Sequence, residues 1–353
     1  MTTIHVAASR AYDIEIGRGL LDQAGEHIAR VTGAGRTAAV ISDTNVLPLY
    51  GQRLCDSLER AGFRPISWAF PAGEESKNLT TYGRLLHFLG ENHMTRSDII
   101  VALGGGVTGD MAGFAAATYQ RGIPFIQVPT TLLAAVDSSV GGKTAIDLET
   151  GKNQAGCFYQ PWLVLCDPDT LTTLPEREYR CGCGEIIKYS VLFDAHFFEE
   201  LQSTPVKDHV EHVISTCVTL KRRAVMEDEF DTGERRKLNL GHSFGHAVEA
   251  CSDFSIPHGC AVAIGMAIIT RAAVKRGLCS RETLDRLLAI LDQYDLPTQT
   301  EHHPEELYRA ALSDKKIAGG KMHLIVPRQI GRCDIVSIPE GEIPDWLRDG
   351  GVQ

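Results

Sequence analysis

The segment Asp98-Ile99-Ile100-Val101-Ala102-Leu103-Gly104-Gly105-Gly106-Val107-Thr108-Gly109-Asp110 decides the fold of the first half of the chain. Its apolar beginning predicts a buried strand, and the small residues of segment 111–118 predict a helix after the glycine loop. Gly104, Gly106 and Gly109 have the G-x-G-x-x-G spacing, which lets backbone N–H groups approach a pyrophosphate at a helix N-terminus. The segment therefore predicts a strand–loop–helix unit that binds a nucleotide.

The position of this unit in the chain departs from the usual dinucleotide-binding order. That order places the glycine loop in the first βα unit and an acidic residue about twenty positions later. Here the acid comes first, because Asp43 ends an earlier predicted strand and Asn45 lies beside it. Asp43 could accept hydrogen bonds from ribose hydroxyls, so we expect a nucleotide site in a Rossmann-like parallel sheet of atypical order.

Around this unit, short apolar runs alternate with helical patterns such as 79–92, which predicts a parallel sheet with helices on both faces. The predicted strands are 37–43, 65–70, 98–103, 124–128 and 162–167. After about Leu171 the pattern is mainly helical, with predicted helices at 186–201, 206–226, 239–251, 260–276, 281–294 and 304–312, and a late hairpin from 322–327 and 333–338. We therefore expect a nucleotide-binding α/β domain at 1–170 and a helical metal- and substrate-binding domain at 171–353, with the substrate in the cleft between them.

A second group of residues is typical of a metal site. His242 and His246 are four residues apart in an apolar, helix-like run, so both rings can leave the same helical face. His258 follows a loop that contains a proline, and Glu185 precedes a further helical run with Lys188 one turn later. One Glu and two His that leave positions open are the ligands expected of a catalytic zinc. A lone His-x-x-x-His pair is more often a pair of interior histidines, but the rest of the chain favours the metal site.

Composition excludes several classes of protein. A chain of 353 residues predicts two domains, and the net charge of −10 argues against nucleic acid as a partner. The longest apolar stretches fall short of the roughly twenty residues that a membrane span needs. Ten scattered cysteines without a Cys-x-x-Cys pair, and an N-terminus without the features of a secretory signal, predict reduced thiols in the cytoplasm.

Several cations lie among small residues rather than in charge-rich helices. Lys143 follows two glycines, Lys152 follows Gly151, and Arg235 precedes His242. Most Lys and Arg are solvated surface charges, but this context favours loops that line a pocket. A nucleotide, a metal and many cations together indicate redox chemistry on a hydroxylated substrate that carries phosphate or carboxylate.

The motifs of the chain resemble, in order, those of the 3-dehydroquinate synthases, which belong to the sugar-phosphate cyclases. They are Gly-Gly-Gly-Val-Thr-Gly-Asp (104–110), Pro-Thr-Thr-Leu-Leu-Ala (129–134), Val-Asp-Ser-Ser-Val-Gly-Gly-Lys-Thr (136–144), Thr-Leu-Pro-Glu-Arg-Glu (173–178), Gly-Glu-Ile-Ile-Lys-Tyr (184–189), Leu-Asn-Leu-Gly-His-Ser-Phe-Gly-His-Ala-Val-Glu (238–249) and His-Gly-Cys-Ala-Val-Ala-Ile-Gly-Met (258–266). The similarity extends from Asp43 to about Lys316, nearly the whole chain.

The resemblance implies a lyase of the shikimate pathway that converts 3-deoxy-D-arabino-heptulosonate 7-phosphate to 3-dehydroquinate and phosphate. Transient oxidation by NAD, phosphate elimination, reduction and an intramolecular aldol closure make up the implied reaction. The implied cofactors are NAD and Zn²⁺, for which Co²⁺ could substitute, and the implied assembly is a homodimer.

The resemblance also assigns residues to three sets. The metal set is Glu185, His242 and His258. The cofactor set is Asp43, Asn45, Glu74, Lys77, Gly105, Gly106, Val107, Thr108, Gly109, Asp110, Thr130, Thr131, Lys143, Lys152, Thr170, Leu171, Thr172 and Thr173. The substrate and catalytic set is Arg121, Asp137, Lys143, Lys152, Asn153, Lys188, Lys221, Arg235, Asn239, His246 and either Lys315 or Lys316. Two positions depart from the family pattern, Gly184 in place of the usual Ala and Cys260 in place of the usual Glu.

Other functions stay open on the residues alone. Another sugar-phosphate cyclase, of the amino-dehydroquinate or deoxy-inosose type, is the nearest alternative, and Lys221, Arg235 and Asn239 argue against a substrate without a carboxylate. A zinc-dependent polyol dehydrogenase would release NADH stoichiometrically and would not need so many phosphate-binding cations. A non-catalytic nucleotide-binding regulator is disfavoured because the full metal set is present.

Overall fold

The computed structural model describes residues 1–253, 255–312, 317–318 and 320–353. Lys315 and Lys316, one of which the resemblance assigns to the substrate, lie outside the described residues. The helices are α1 Leu20–Thr32, α2 Gln52–Arg60, α3 Leu79–Glu91, α4 Gly106–Thr118, α5 Glu176–Phe193, α6 Ala195–Ser203, α7 Val210–Glu227, α8 His242–Cys251, α9 His258–Lys275, α10 Arg281–Gln293, α11 Pro304–Leu312 and α12 Ile343–Asp349. The strands are β1 Thr2–Val6, β2 Tyr12–Ile16, β3 Thr37–Asp43, β4 Arg64–Phe70, β5 Ile99–Gly104, β6 Phe125–Pro129, β7 Lys143–Leu148, β8 Gly151–Phe158, β9 Leu163–Cys166, β10 Ile317–Ala318, β11 Lys321–Gln329 and β12 Arg332–Pro339.

A seven-stranded sheet in the order β1-β2-β9-β6-β5-β3-β4 forms the frame of the first half. All neighbours in it are parallel except β1, which pairs antiparallel with β2 at the edge. The central strand β5 is buried along its whole length, as expected for a parallel strand covered on both faces. This confirms the predicted α/β class and the atypical strand order.

Alternate residues of the central strands face opposite cores. Val40 and Val101 pack in a cluster with residues of α1 and α2. Ile41 and Ile100 pack in a second cluster with residues of α3 and α4. Because successive side chains of a strand point to opposite faces, one apolar run supplies both layers. The predicted helices on both faces of the sheet are confirmed.

Several element boundaries differ from the predicted ones. Helix α4 starts at Gly106 inside the glycine loop, not at Met111, because the first turn of a helix tolerates glycine where the backbone must stay accessible. Helix α5 begins at Glu176, so Glu185 lies in its middle and does not precede it. The predicted helix 186–201 is two helices, because the Asp194 carboxylate accepts hydrogen bonds from the N–H groups of His196 and Phe197 and starts α6.

Two hairpins were not predicted. Strands β1 and β2 pair antiparallel at the sheet edge, and β7 and β8 form a separate two-stranded sheet. The late hairpin of β11 and β12 was predicted, and the short β10 adds a third strand to it. The missed hairpin β7–β8 matters for function, since it carries Lys143, Lys152 and Asn153.

The described residues divide into two compact units. The first contains Met1–Leu174 and Glu211–Phe230, and the second contains Pro175–Val210 and Asp231–Gln353. They differ from the predicted segments 1–170 and 171–353 in two respects, because the boundary falls after Leu174 and because most of α7 belongs to the α/β unit. A helix that joins a unit from a later part of the chain leaves no local signal in the sequence.

Helix α9 forms the centre of the second unit, where it packs against α5, α8, α10 and α12. It is long and apolar enough to cross a membrane by length and composition alone, with a mean hydropathy of 1.2 over 18 residues. However, 72% of that stretch is buried inside the protein. This burial is what a central helix of a globular core requires, since such a helix is apolar all round.

Candidate active site

The carboxyl ends of the parallel strands bring most of the predicted cofactor residues to one edge of the sheet. Asp43 is the last residue of β3, Gly105 follows β5, and Thr130 follows β6. Segment 170–173 lies in a short 3₁₀ helix after β9, where the Tyr50 hydroxyl donates a hydrogen bond to the Thr170 carbonyl at 2.9 Å. Ligands of open α/β sheets bind at this edge, so the topology supports a nucleotide site there.

Glycine is required in the loop between β5 and α4. A Cβ atom on Gly104 would lie 2.4 Å from Oγ1 of Thr108, and one on Gly105 would lie 2.9 Å from Cγ2 of Thr131. The first-turn N–H groups of a helix have no partner within that helix, and here they follow directly after the loop. The loop is therefore a fit for a phosphate or pyrophosphate group. Val107, Thr108, Gly109 and Asp110 lie in the first turns of α4.

Asp43 and Asn45 form a turn at this edge of the sheet. One carboxylate oxygen of Asp43 accepts hydrogen bonds from the backbone N–H groups of Asn45, at 2.8 Å, and Val46, at 3.0 Å. These bonds fix the carboxylate at the end of β3 beside the glycine loop of the neighbouring strand β5. The second carboxylate oxygen takes no part in this turn and is the one that can accept a hydrogen bond from a ligand hydroxyl.

A buried lysine collects several predicted residues. Lys77 is only 4% exposed, and its Nζ donates to Asp110 Oδ2 at 2.7 Å and to Asn153 Oδ1 at 2.6 Å. It also lies 3.8 Å from Oε1 of Glu74, and Lys152 Nζ lies 3.6 Å from the same oxygen. Burial alone lowers the pKa of Lys77, but the carboxylates of Asp110 and Glu74 raise it above its usual value. Lys77 therefore stays charged and anchors the β7–β8 hairpin to the glycine-loop helix.

The remaining predicted cations and acids of the first unit form a less compact set. Lys221 of α7 donates a hydrogen bond to the carbonyl of Asp137 at 2.7 Å and forms an ion pair with its carboxylate. Lys143, the first residue of β7, is exposed. Arg121 is exposed too, in a turn where its φ of 65° is left-handed. No described contact joins Arg121 to the other members of the set.

The predicted metal ligands converge in the second unit. Oε1 of Glu185 lies 3.7 Å from Nε2 of His242 and 3.4 Å from Nε2 of His258. The Glu185 side chain is 0% exposed, its Oε2 is paired with the Lys188 ammonium group, and its Oε1 has no hydrogen-bond partner among the described residues. A divalent cation between Oε1 and the two imidazole nitrogens would satisfy this buried oxygen. The donor set therefore fits a catalytic zinc or cobalt ion.

The hydrogen-bond partner of Nδ1 decides the tautomer of His242 and of His258. Nδ1 of His242 lies 3.0 Å from the carbonyl oxygen of Leu240, and Nδ1 of His258 lies 3.2 Å from Oε2 of Glu249. Because a carbonyl and a carboxylate only accept, each Nδ1 must carry the hydrogen. Burial lowers the pKa of His258, but Glu249 and Glu185 raise it to about 10, so a metal ion that binds Nε2 would displace a proton from this nitrogen.

His246 belongs to the same cluster of rings. Its ring centroid lies 5.4 Å from that of His242 and 5.7 Å from that of His258. One nitrogen from each of the three histidines can be chosen so that all lie within 4.8 Å of one another, so a three-imidazole set is a second possible ligand group. The position of Glu185 Oε1 favours the set that contains this carboxylate.

The other predicted residues of the second unit lie close in sequence to the metal set, and two of them are buried. Lys188, one turn after Glu185 on α5, forms an ion pair with it and is 1% exposed. Arg235 and Asn239 lie in the 3₁₀ helix Glu234–Asn239 that precedes α8, and Arg235 is 1% exposed. A buried guanidinium is poised to bind an anionic group in a low-dielectric environment.

Two residues with roles in this geometry were not predicted. Glu249 faces His258, although its position seven residues after His242 could have placed it on the same helical face. Asp147 accepts a hydrogen bond from the Asn153 N–H at 2.7 Å and fixes the hairpin turn. No local signal distinguishes Asp147 from an ordinary turn residue.

The two departures from the family pattern have different consequences. Cys260 is half-buried, burial raises the pKa of its thiol, and it is not part of the cluster of metal-binding side chains among the described residues. Gly184 lies where α5 crosses α9, because a Cβ on it would be 2.3 Å from the carbonyl oxygen of Gly259. The contact holds α5 close to the start of α9, which carries His258.

We expect Gly184→Ala to destabilise the protein. Overpacking against backbone atoms costs about 1–3 kcal/mol, whereas the higher helix propensity of alanine returns at most about 1 kcal/mol. The matched control is Gly83→Ala on α3, where a Cβ would meet nothing within 4 Å. Thermal and denaturant unfolding should show a lower stability for the first variant and an equal or higher one for the second. Equal stability of Gly184→Ala and the wild type would mean that α9 moves away at no cost.

The chain matches the family models described as 3-dehydroquinate synthase N-terminal, over residues 67–181, and 3-dehydroquinate synthase C-terminal, over residues 182–317. A 3-dehydroquinate synthase of Streptococcus suis is 44% identical over 346 residues, which cover 96% of this chain and 97% of that protein.

Solved structures of sugar-phosphate cyclases have the same fold. A 2-deoxy-scyllo-inosose synthase in complex with carbaglucose-6-phosphate, NAD⁺ and Co²⁺ superposes with a TM-score of 0.88 at 26% identity and covers 99% of this chain and 100% of that one. The 2-epi-5-epi-valiolone synthase of Streptomyces hygroscopicus, with NAD⁺ and Zn²⁺ bound, gives a TM-score of 0.87 at 26% identity and covers 99% of both chains. By both halves of its sequence, this chain belongs to the 3-dehydroquinate synthase family.

Proposed function

We propose that this chain converts 3-deoxy-D-arabino-heptulosonate 7-phosphate to 3-dehydroquinate and phosphate, the reaction of its family. The observation that carries the proposal is the convergence of Glu185 Oε1 with Nε2 of His242 and Nε2 of His258. The sequence identity with curated 3-dehydroquinate synthases, at 44% for the Streptococcus suis protein, exceeds the 26% identity with the two other cyclases. The deoxy-inosose type is therefore the less favoured assignment.

The cofactors of the reaction are NAD and a divalent metal, Zn²⁺ or Co²⁺. When bound, NAD accepts and returns a hydride, and the metal polarises substrate oxygens as a Lewis acid. Glu185, His242 and His258 would hold the metal. The glycine loop of 104–109, with Asp43 at the end of β3 and Lys77 beneath α4, would hold the dinucleotide.

The cations of the chain bind and orient the substrate in this proposal. His246, Asn153, Lys143 and Arg121 suit the phosphate end, where hydrogen-bond donors neutralise a dianion that leaves. Arg235 and Lys221 suit the carboxylate, since a planar guanidinium can bind two oxygens at once. Lys188, which is paired with Glu185, is placed to donate a hydrogen bond to a substrate oxygen near the metal. Orientation of this kind is the main contribution of a protein whose cofactor carries the difficult step.

A phosphorylated sugar-type substrate is consistent with the family as a whole. The contacts of individual cations with the phosphate and the carboxylate are part of the proposal. A cytoplasmic location, a homodimer and the absence of nucleic-acid and membrane partners also stay predictions. A substrate with an amino group in place of one hydroxyl fits the same residues, so its turnover should be measured beside that of the heptulosonate phosphate.

The defining experiment is phosphate release from the heptulosonate phosphate with NAD at a catalytic concentration. We expect one phosphate for each 3-dehydroquinate formed, many turnovers for each NAD, and no net accumulation of NADH, because the hydride returns to the substrate. Phosphate, the carbocyclic product and NADH absorbance should be followed in the same sample. Stoichiometric NADH without phosphate would identify a polyol dehydrogenase instead.

A further inference from the structure

A buried carboxylate outside the predicted metal set lies against one of its histidines. Glu249 is 2% exposed, and its Oε2 lies 3.2 Å from Nδ1 of His258. Glu249 is on α8, whereas His258 is the first residue of α9. The contact therefore joins the helix that carries His242 to the helix that carries His258.

The spacing on α8 places Glu249 on the face that carries the histidines. His242, His246 and Glu249 occupy positions i, i+4 and i+7, which lie one above the other on a helix. The helices α8 and α9 pack closely at this face, because a Cβ on Gly245 would lie 2.9 Å from the carbonyl oxygen of Ala261. This close packing keeps the start of α9, which carries His258, near the Glu249 side chain of α8.

The two histidines of the metal set are supported in different ways. His242 has a backbone carbonyl at its Nδ1, which no side-chain substitution removes, while His258 has the Glu249 carboxylate. In both rings Nδ1 is occupied and Nε2 faces Oε1 of Glu185. Carboxylate partners of this kind fix the tautomer and the orientation of metal-binding imidazoles and strengthen them as ligands.

We propose that Glu249 is a positioning residue that accepts the Nδ1–H hydrogen bond of His258 and so directs Nε2 of this ring toward the metal. The inference rests on the proposed function, since it requires that His258 is a metal ligand. In this role Glu249 acts on the metal through His258 and not by direct contact with substrate or cofactor. Its loss should weaken metal binding before it affects the fold.

The test measures metal affinity directly. Glu249→Gln keeps the shape of the side chain but removes its charge, and Glu249→Ala removes the partner. We expect the dissociation constant for Zn²⁺, from competition with a chromophoric chelator, to rise about tenfold for Gln and up to about a hundredfold for Ala. The matched control is Glu282→Gln, a carboxylate exposed in the first turn of α10, which should leave the affinity unchanged.

Further readouts separate positioning from a general loss of structure. The visible absorption of the Co²⁺-loaded Glu249→Gln protein should shift, whereas its NAD affinity and thermal stability should stay close to those of the wild type. In a double-variant cycle, adding Glu249→Gln to His258→Ala should produce no further loss of metal affinity, because the two residues form one unit.

The outcomes distinguish this inference from the proposed function. Unchanged Zn²⁺ affinity and Co²⁺ absorption in both Glu249 variants would overturn the positioning role while leaving the metal set intact. A fully additive loss in the double variant would also overturn it, because Glu249 would then act independently of His258. If His258→Ala itself keeps the wild-type affinity for Zn²⁺, the proposed metal set fails.

Discussion

Replacing His242 with alanine is expected to remove the metal and, with it, the activity. The ring contributes Nε2 at the point where Glu185 and His258 converge, and a backbone carbonyl fixes its tautomer. A Lewis acid contributes several kcal/mol to such a reaction, so we expect turnover to fall by roughly a thousandfold or more. The measurements are metal content by elemental analysis and phosphate release before and after incubation with EDTA.

In the wild type, EDTA should abolish activity, and Zn²⁺ or Co²⁺ should restore it. The His242→Ala protein should not recover on addition of either ion at a concentration that saturates the wild type. Full activity of a preparation shown to contain no metal would contradict the prediction.

His246→Ala is the matched control, because His246 lies on the same face of α8 one turn later. We expect this variant to keep one metal per chain and to lose turnover, since the proposal assigns its ring to the phosphate side of the substrate. Loss of the metal from this variant would instead support the three-imidazole set and reverse the roles of the two histidines.

Truncating Arg235 is expected to have the second large effect. Its guanidinium is buried in the 3₁₀ helix before α8, where it could bind a carboxylate through two parallel hydrogen bonds. Charge-assisted hydrogen bonds contribute about 1.5–3 kcal/mol each, so losing two should lower kcat/KM by roughly two to four decades. Arg235→Lys should lie between the wild type and Arg235→Ala, because lysine offers a point charge without the planar geometry.

The control for Arg235 is its neighbour Arg236, which lies in the same 3₁₀ helix but is half-exposed. Arg236→Ala should keep kcat/KM within a few-fold of the wild type, as most surface substitutions do. The decisive comparison is wild-type turnover of the heptulosonate phosphate and of a phosphorylated sugar without the carboxylate, at equal concentration. Equal or faster turnover of the second substrate would place this chain with a neighbouring class of cyclase.

The sheet could be predicted from sequence because its signals are local. Segment 37–43 was predicted as a strand and is β3 at the same bounds, and the predicted strand 98–103 differs from β5 by one residue at each end. Continuous apolar runs followed by turn residues are sufficient for such strands. The hairpin β7–β8 has no comparable signal, because its exposed and half-buried residues carry polar and small side chains in no regular alternation.

The helical unit shows where local patterns stop being sufficient. The apolar periodicity of segment 186–201 continues across Asp194, yet the chain breaks into α5 and α6 there because a side-chain cap competes with the helix. Similarly, α7 follows helices of the second unit in sequence but belongs to the first. A local cap decides the first feature, although the apolar pattern hides it. Membership of α7 in the first unit depends on contacts with residues far away in the sequence, which leave no trace in a local window.

The sequence by itself determined which chemical groups are available: a glycine loop after a buried strand, one carboxylate, three histidines, and cations among small residues. Only the tertiary structure decided how these groups are arranged. Lys77 meets Asp110 on α4 and Asn153 on a hairpin 76 residues later in the chain, and Glu185 meets His242 and His258 across three helices. The structure also decided that Nδ1 of His258 faces Glu249 and Nε2 faces Glu185, and the hydrogen bond at one nitrogen of an imidazole sets its tautomer.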